Sequence, residues 1–112
     1  NMITFVDTTS FINGSKMLLV DEERRALIYH LAANPEAGDI MPRTGGLRKF
    51  RFASVEGKGK SGGSRVIYFY CNDRMPLFMI AIYGKARQDN LTREQERVFY
   101  NLVKQLKKEY GQ

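Results

Sequence analysis

The sequence predicts an α+β domain with a mostly antiparallel sheet, on three observations. Strand-like runs at residues 47–53, 65–71 and 77–83 follow one another through short links, and helix-like stripes precede and follow them. No strand–helix–strand alternation of the βαβ kind appears, so a parallel sheet has no source. The chain's 112 residues are 43% hydrophobic, which suits one core and one domain over residues 1–112. The predicted order is βααβββα.

Residues 2–6 read as a short strand. Residues 9–19 form a candidate helix with Thr9 or Ser10 as its cap, although Asn13-Gly14 works against it. Asp21–Ala33 is stronger: Asp21 can cap, Glu22 and Glu23 complement the positive end of the dipole, and Asn34-Pro35 ends the run. Leu27, Ile28, Leu31 and Ala32 share its apolar stripe. Along 47–53, Phe50 and Phe52 alternate with Lys49 and Arg51, which assigns aromatic and basic side chains to opposite faces. The runs 65–71 and 77–83 are rich in β-branched and aromatic residues, and the link 72–76 is short enough to join them as a hairpin. Thr92-x-x-Gln95 fits a capping box opening a last helix, with Val98, Phe99, Leu102, Val103, Leu106 and Tyr110 as its stripe.

Charge divides this chain unevenly. Residues 43–65 hold seven of the 18 Lys and Arg and one acid, Glu56, so the segment nets +6, the formal charge of the whole protein. Six of the ten glycines fall in the same window, so backbone as well as side chains can approach a ligand. A hairpin centred near Arg74 places Arg65 opposite Tyr83 with Lys85 just beyond, at the sheet end where 47–53 finishes. Arg51, Arg65, Lys85 and the loop bases Lys58 and Lys60 are thereby expected to converge, with Lys49 about 6–7 Å further along the face of Arg51. Gathered like charges raise one another's energy, so a polyanion is expected as ligand, RNA or DNA first among them. The competing explanation is that edge strands carry Lys and Arg to block aggregation.

Several chemistries lack their residues. His30 is the one histidine and lies far in sequence from the basic cluster, so a paired-histidine ribonuclease mechanism has no partner. No Cys/His grouping suits zinc, and Cys71, inside a strand pattern, is expected as a buried small hydrophobe, not a nucleophile. The acids are scattered, with only Glu56 near the basic loop, and Gly57-Lys-Gly-Lys-Ser lacks P-loop spacing. Neither a metal nor a cofactor is therefore expected. The longest apolar run, residues 76–83, falls far short of the roughly 20 residues a membrane span needs. The start Met2-Ile-Thr-Phe-Val, soon followed by Asp7, lacks signal-peptide character, and with a lone cysteine the expectation is a cytoplasmic protein. Metal-independent phosphoryl transfer on RNA stays compatible. There the 2′-hydroxyl is the internal nucleophile, arginines hold the charge building on the phosphate, a crowded lysine exchanges protons, and tyrosine stacks or donates. Simple RNA binding fits the same pattern, as does a patch that meets an acidic protein.

At these residues the chain resembles a known family. Thr44-Gly-Gly-Leu-Arg-Lys-Phe-Arg-Phe, Gly57-Lys-Gly-Lys-Ser-Gly-Gly-Ser-Arg-Val-Ile-Tyr and Ile82-Tyr-Gly-Lys85, with Asn34-Pro-Glu-Ala-Gly-Asp39 upstream, resemble RelE/HigB-like toxins of type II toxin–antitoxin modules. The resemblance covers nearly the whole chain. It implies a compact microbial-ribonuclease fold and an mRNA endonuclease (mRNA interferase) that cuts in the decoding site of a translating ribosome. It also implies a co-transcribed, HigA-like helix-turn-helix antitoxin that neutralises the toxin and, with it, represses their operon by binding operator DNA. By the same resemblance Lys49 and Arg51 match catalytic lysine positions, Arg65 matches a phosphate-binding arginine, and Lys85 begins a stretch that supplies another base. Ala86 stands where some relatives have arginine, with Arg87 next, and Leu91-Thr92 stand where some carry a tyrosine. Tyr83 or a lysine then takes that role. The candidate catalytic set is Lys49, Arg51, Arg65, Tyr83 and Lys85, and the candidate RNA contacts are Arg48, Lys58, Lys60 and Arg87.

Overall fold

The computed structural model describes residues 3–53, 63–84 and 90–111, so Lys58, Lys60, Lys85, Arg87 and Glu56 lie outside it. Its elements in order are β1 (Phe5–Asp7), α1 (Thr9–Leu18), α2 (Asp21–Ala33), β2 (Asp39–Ile40), β3 (Leu47–Phe52), β4 (Ser64–Phe69), β5 (Leu77–Gly84) and α3 (Arg93–Tyr110). The strands form one five-stranded sheet in the order β1-β5-β4-β3-β2. β1 runs parallel to β5, and the other three pairings are antiparallel. The α+β class and mostly antiparallel sheet hold. The predicted order βααβββα is corrected by the extra strand β2, too short at two residues to carry any periodicity.

β4 sits centrally and is buried on both faces, as its near-continuous apolar run Val66-Ile-Tyr-Phe69 requires. On one face Val66 and Tyr68 meet Phe11 of α1 and Leu27 and Leu31 of α2, with Phe50 and Phe52 of β3 at the margin. On the other face Ile67 and Phe69 meet Leu47, Phe78, Ile80 and Val103 of α3. Fully burying such a side chain contributes on the order of 1.5–3 kcal/mol over leaving it exposed. The sheet therefore lies between α1 and α2 on one side and α3 on the other.

Local chemistry corrects several boundaries. Thr8, not Thr9 or Ser10, caps α1: its Oγ1 accepts from the Phe11 amide at 3.2 Å and donates to the Ile80 carbonyl at 2.8 Å, tying the helix start to β5. Asp21 is the first residue of α2 and Val20 the cap, whose amide donates to the Glu23 carboxylate at 2.9 Å. β1 begins at Phe5, later than the run 2–6 suggests. β4 ends at Phe69, because Asn72 Oδ1 accepts from the amides of Arg74 and Met75 and bends the chain there. Cys71 is consequently exposed, not buried. The α3 capping box is present as read, with Thr92 and Gln95 exchanging hydrogen bonds of 2.9 and 3.1 Å. Among the described residues no helix is long and apolar enough to cross a membrane.

Gly14 explains why α1 survives its Asn-Gly pair. A Cβ there would lie 2.7 Å from Ile82 Cγ2 and 2.8 Å from the Ile82 carbonyl oxygen. The glycine is a close-approach position that lets α1 lie flat on β5, and the backbone oxygen cannot step aside. Gly14→Ala should lower stability by about 1–3 kcal/mol in chemical denaturation, despite the better helix propensity of alanine. A neutral or stabilising effect would remove the close approach from the account.

Candidate functional site

Strand register brings the first candidate side chains together. Arg51 pairs with Arg65 across β3 and β4, and Arg65 pairs with Tyr83 across β4 and β5. Directly opposed residues share a face, so the three form one row across the sheet on the side that α3 covers further along. The next row is Lys49, Ile67 and Ala81. Arg51 is exposed, and Lys49, Arg65 and Tyr83 are half-buried, with the Tyr83 hydroxyl itself buried.

A β-bulge makes this row possible. Register shifts between Ile67 and Tyr68, so Ile67 opposes Ala81 while Tyr68 opposes Met79, leaving Ile80 as the extra residue. Ile80 and Ala81 then face the same core despite being neighbours, and the alternation of β5 restarts one residue out of phase. Without the bulge Tyr83 would turn to the α1–α2 side. Bulges commonly re-aim a side chain in this way beside functional sites.

Two basic residues of the charged segment have other tasks. Arg48 alternates to the opposite face, where its guanidinium donates to the carbonyls of Gly38 at 2.7 Å and Glu36 at 3.1 Å. It braces the 34–38 link together with Tyr68, whose hydroxyl accepts from the Gly38 amide and donates to the Pro35 carbonyl, both at 2.8 Å. Arg48 is thus not brought together with the row. Arg43 forms a two-pronged ion pair with Glu96, both hydrogen bonds being 2.8 Å. Its backbone lies in the left-handed region at φ 62, followed by Gly45 at 79 and Gly46 at 120. Thr44 staples this turn, donating to the Met41 carbonyl and accepting from the Leu47 amide. A Cβ on Gly45 would sit 3.3 Å from Val103 Cγ1, so this glycine serves packing under α3 and not ligand approach.

The acids also differ from expectation. Asp39 of β2 pairs with Lys49 of β3, and both line a hollow of about 190 Å3 with Arg43 and Glu96. Sequence reading placed no carboxylate but Glu56 beside the bases. Asp39 is ten positions from Lys49 on a strand too short to recognise, and Glu96 arrives on another element. Among the described residues no three His, Cys, Asp or Glu side chains group as a metal site. His30 is exposed on the opposite side of the sheet, its ring stacked at 5.0 Å on Phe50.

No protein-family model matches this chain. The site is therefore judged on its geometry: two forked cations and a phenol in one row, a lysine behind them, and a carboxylate edge. Paired guanidinium forks suit a phosphate, whose oxygens accept two donors each.

The Arg43–Glu96 pair anchors the start of α3 over this surface. Hydrogen bonding from Arg43 holds the Glu96 carboxyl below its ordinary 4.5, against the opposing pull of partial burial. A carboxyl with a lower pKa when folded binds fewer protons in the native state. Its contribution is full above the unfolded value and is lost as pH falls through the folded one. Glu96→Gln should be less stable than the parent at pH 7, and the gap should close as pH falls below about 4.5 in urea titrations. A gap independent of pH would show that the pair contributes nothing through charge.

Proposed function

We propose that the protein is a RelE/HigB-like toxin, an mRNA endonuclease that acts without a metal ion on mRNA in the translating ribosome. In this reading it works in the cytoplasm and inhibits translation. A helix-turn-helix antitoxin encoded beside it holds it in check, and the pair binds operator DNA. The reading rests on the resemblance of the three sequence strings and on one observation, the Arg51–Arg65–Tyr83 row. Like charges directly opposite across a ladder repel each other. Such a pair is well explained by an anion that sits between the two forks.

The chemistry follows from that placement. The 2′-oxygen of RNA forms a bond to phosphorus and the bond to the 5′-oxygen breaks, giving a 2′,3′-cyclic phosphate and a free 5′-hydroxyl. Arg51 and Arg65 hold the non-bridging oxygens, where negative charge grows in the transition state. Lys49 and Tyr83 stand at opposite ends of the cluster, one beside each arginine, and exchange the two protons. One group takes the proton from the 2′-hydroxyl and the other returns one to the leaving oxygen. Lys85 follows Tyr83 by two positions and joins this set by resemblance. Lys58 and Lys60 supply docking charge by the same argument.

Arg65→Lys keeps the charge and loses the fork. It should reduce single-turnover mRNA cleavage on ribosomes by roughly 10²–10³ and relieve growth arrest on induction in bacteria. An undiminished rate in a folded Arg65→Lys protein would overturn the assignment. RNA binding without cleavage in the parent itself would leave a binding module instead of an enzyme.

A further inference from the structure

The charged row does not simply fade into solvent. Two residues inward along β4, about 6–7 Å from Arg65, the same face turns apolar at Ile67 and, beside it, Ala81. A hollow of about 320 Å3 opens there beneath the start of α3, reaching Tyr83 at its outer end. Leu91 and Phe99 wall it on the helix side, and Asn90 and Gln95 supply amides. Its volume is at the lower end of small-ligand sites. An aromatic ring beside several amide and hydroxyl groups is what an unstacked nucleobase needs: a surface to lie on and donors or acceptors along its edge.

Gln95 is the informative group. The Thr92 amide requires an acceptor, and Gln95 Oε1 provides it at 2.9 Å, while the Gln95 backbone amide donates to Thr92 Oγ1 at 3.1 Å. The capping box thereby orients the side chain and occupies one of the two lone pairs of its oxygen. The other end of the amide, Nε2, is the group offered to a ligand here, and it donates and cannot accept. A donor held in place by a helix cap discriminates among bases by where each carries an acceptor. It does so with little rotamer entropy left to lose on binding.

We propose that this hollow is a nucleobase subsite next to the phosphate row. The base of the nucleotide whose phosphate lies on Arg51 and Arg65 enters it, lies against Phe99 and accepts a hydrogen bond from Gln95 Nε2. The inference rests on the RNA reading of the row and adds to it the group that selects the base. It also gives the capping box a second task, since the same amide that starts α3 reads the ligand.

The test uses the four nucleoside 5′-monophosphates and ribose 5-phosphate as probes, followed by chemical shift on isotope-labelled protein. Ribose 5-phosphate should move signals of Arg51 and Arg65 only. The mononucleotides should also move the Gln95 side-chain amide and the backbone of Ala81 and Phe99. Gln95→Glu preserves the cap, since glutamate serves equally at that position, but replaces the donors with an acceptor. Its negative charge weakens all five probes alike, so the ratio of nucleotide to sugar-phosphate affinity isolates the base. That ratio should fall about threefold to tenfold for the preferred nucleotide, the worth of one hydrogen bond. An unchanged ratio, or nucleotides that shift the hollow no more than ribose 5-phosphate does, would overturn the subsite while leaving the phosphate row intact. Probes that leave Arg51 and Arg65 unmoved would overturn the row and the subsite together.

Discussion

The register of β4 against its two neighbours is the constraint on which the remaining geometry depends. Side chains alternate along a strand, so a slip of one residue would exchange the faces of every residue on it. Here Val66 and Tyr68 on one face and Ile67 and Phe69 on the other are all buried, so either slip would carry core residues out of their packing. Hydrophobic burial on both faces fixes the strand, and the strand then fixes Arg65 between Arg51 and Tyr83. The polar row is positioned by apolar contacts several residues away from it. A site built on strands in this way is held more firmly than one carried on loops.

Much of this was legible in the sequence because the signals were local. The Phe-Lys/Arg alternation in 47–53, the short link near Arg74 and the Thr92-x-x-Gln95 box each specify geometry within a few residues, and each appears in the fold. The opposition of Arg65 and Tyr83 follows from the hairpin centre, although it needed the bulge at Ile80 to reach that register. Bulges leave no simple pattern in a run where every residue is apolar. The parallel pairing of β1 with β5, the strand β2 and the Arg43–Glu96 pair join residues far apart in the chain. Nothing local announces them. Arg43 adds to the charge of the basic segment because charge is visible in sequence, whereas its partner, 53 positions on, is not.

The motif strings divide by task once they are folded. Asn34-Pro-Glu-Ala-Gly-Asp39 wraps the Tyr68 hydroxyl and receives Arg48 on its carbonyls. Gly38 has no room for a side chain, since a Cβ would lie 2.9 Å from the Tyr68 ring. Thr44-Gly-Gly closes the turn beneath α3. These strings build and brace the sheet, and the bases Lys49, Arg51 and Arg65 are what they leave facing outward. A family-like sequence pattern here records scaffold as much as chemistry.

The central claim is that Arg51 and Arg65 stand opposite each other across the ladder to hold an anionic ligand. The direct test compares the parent with Arg51→Ala in denaturation at low salt, with and without a short single-stranded RNA. Removing one of the two opposed forks should remove most of the stabilisation that RNA gives the parent. An Arg51→Ala protein that gains as much from RNA as the parent would contradict the claim.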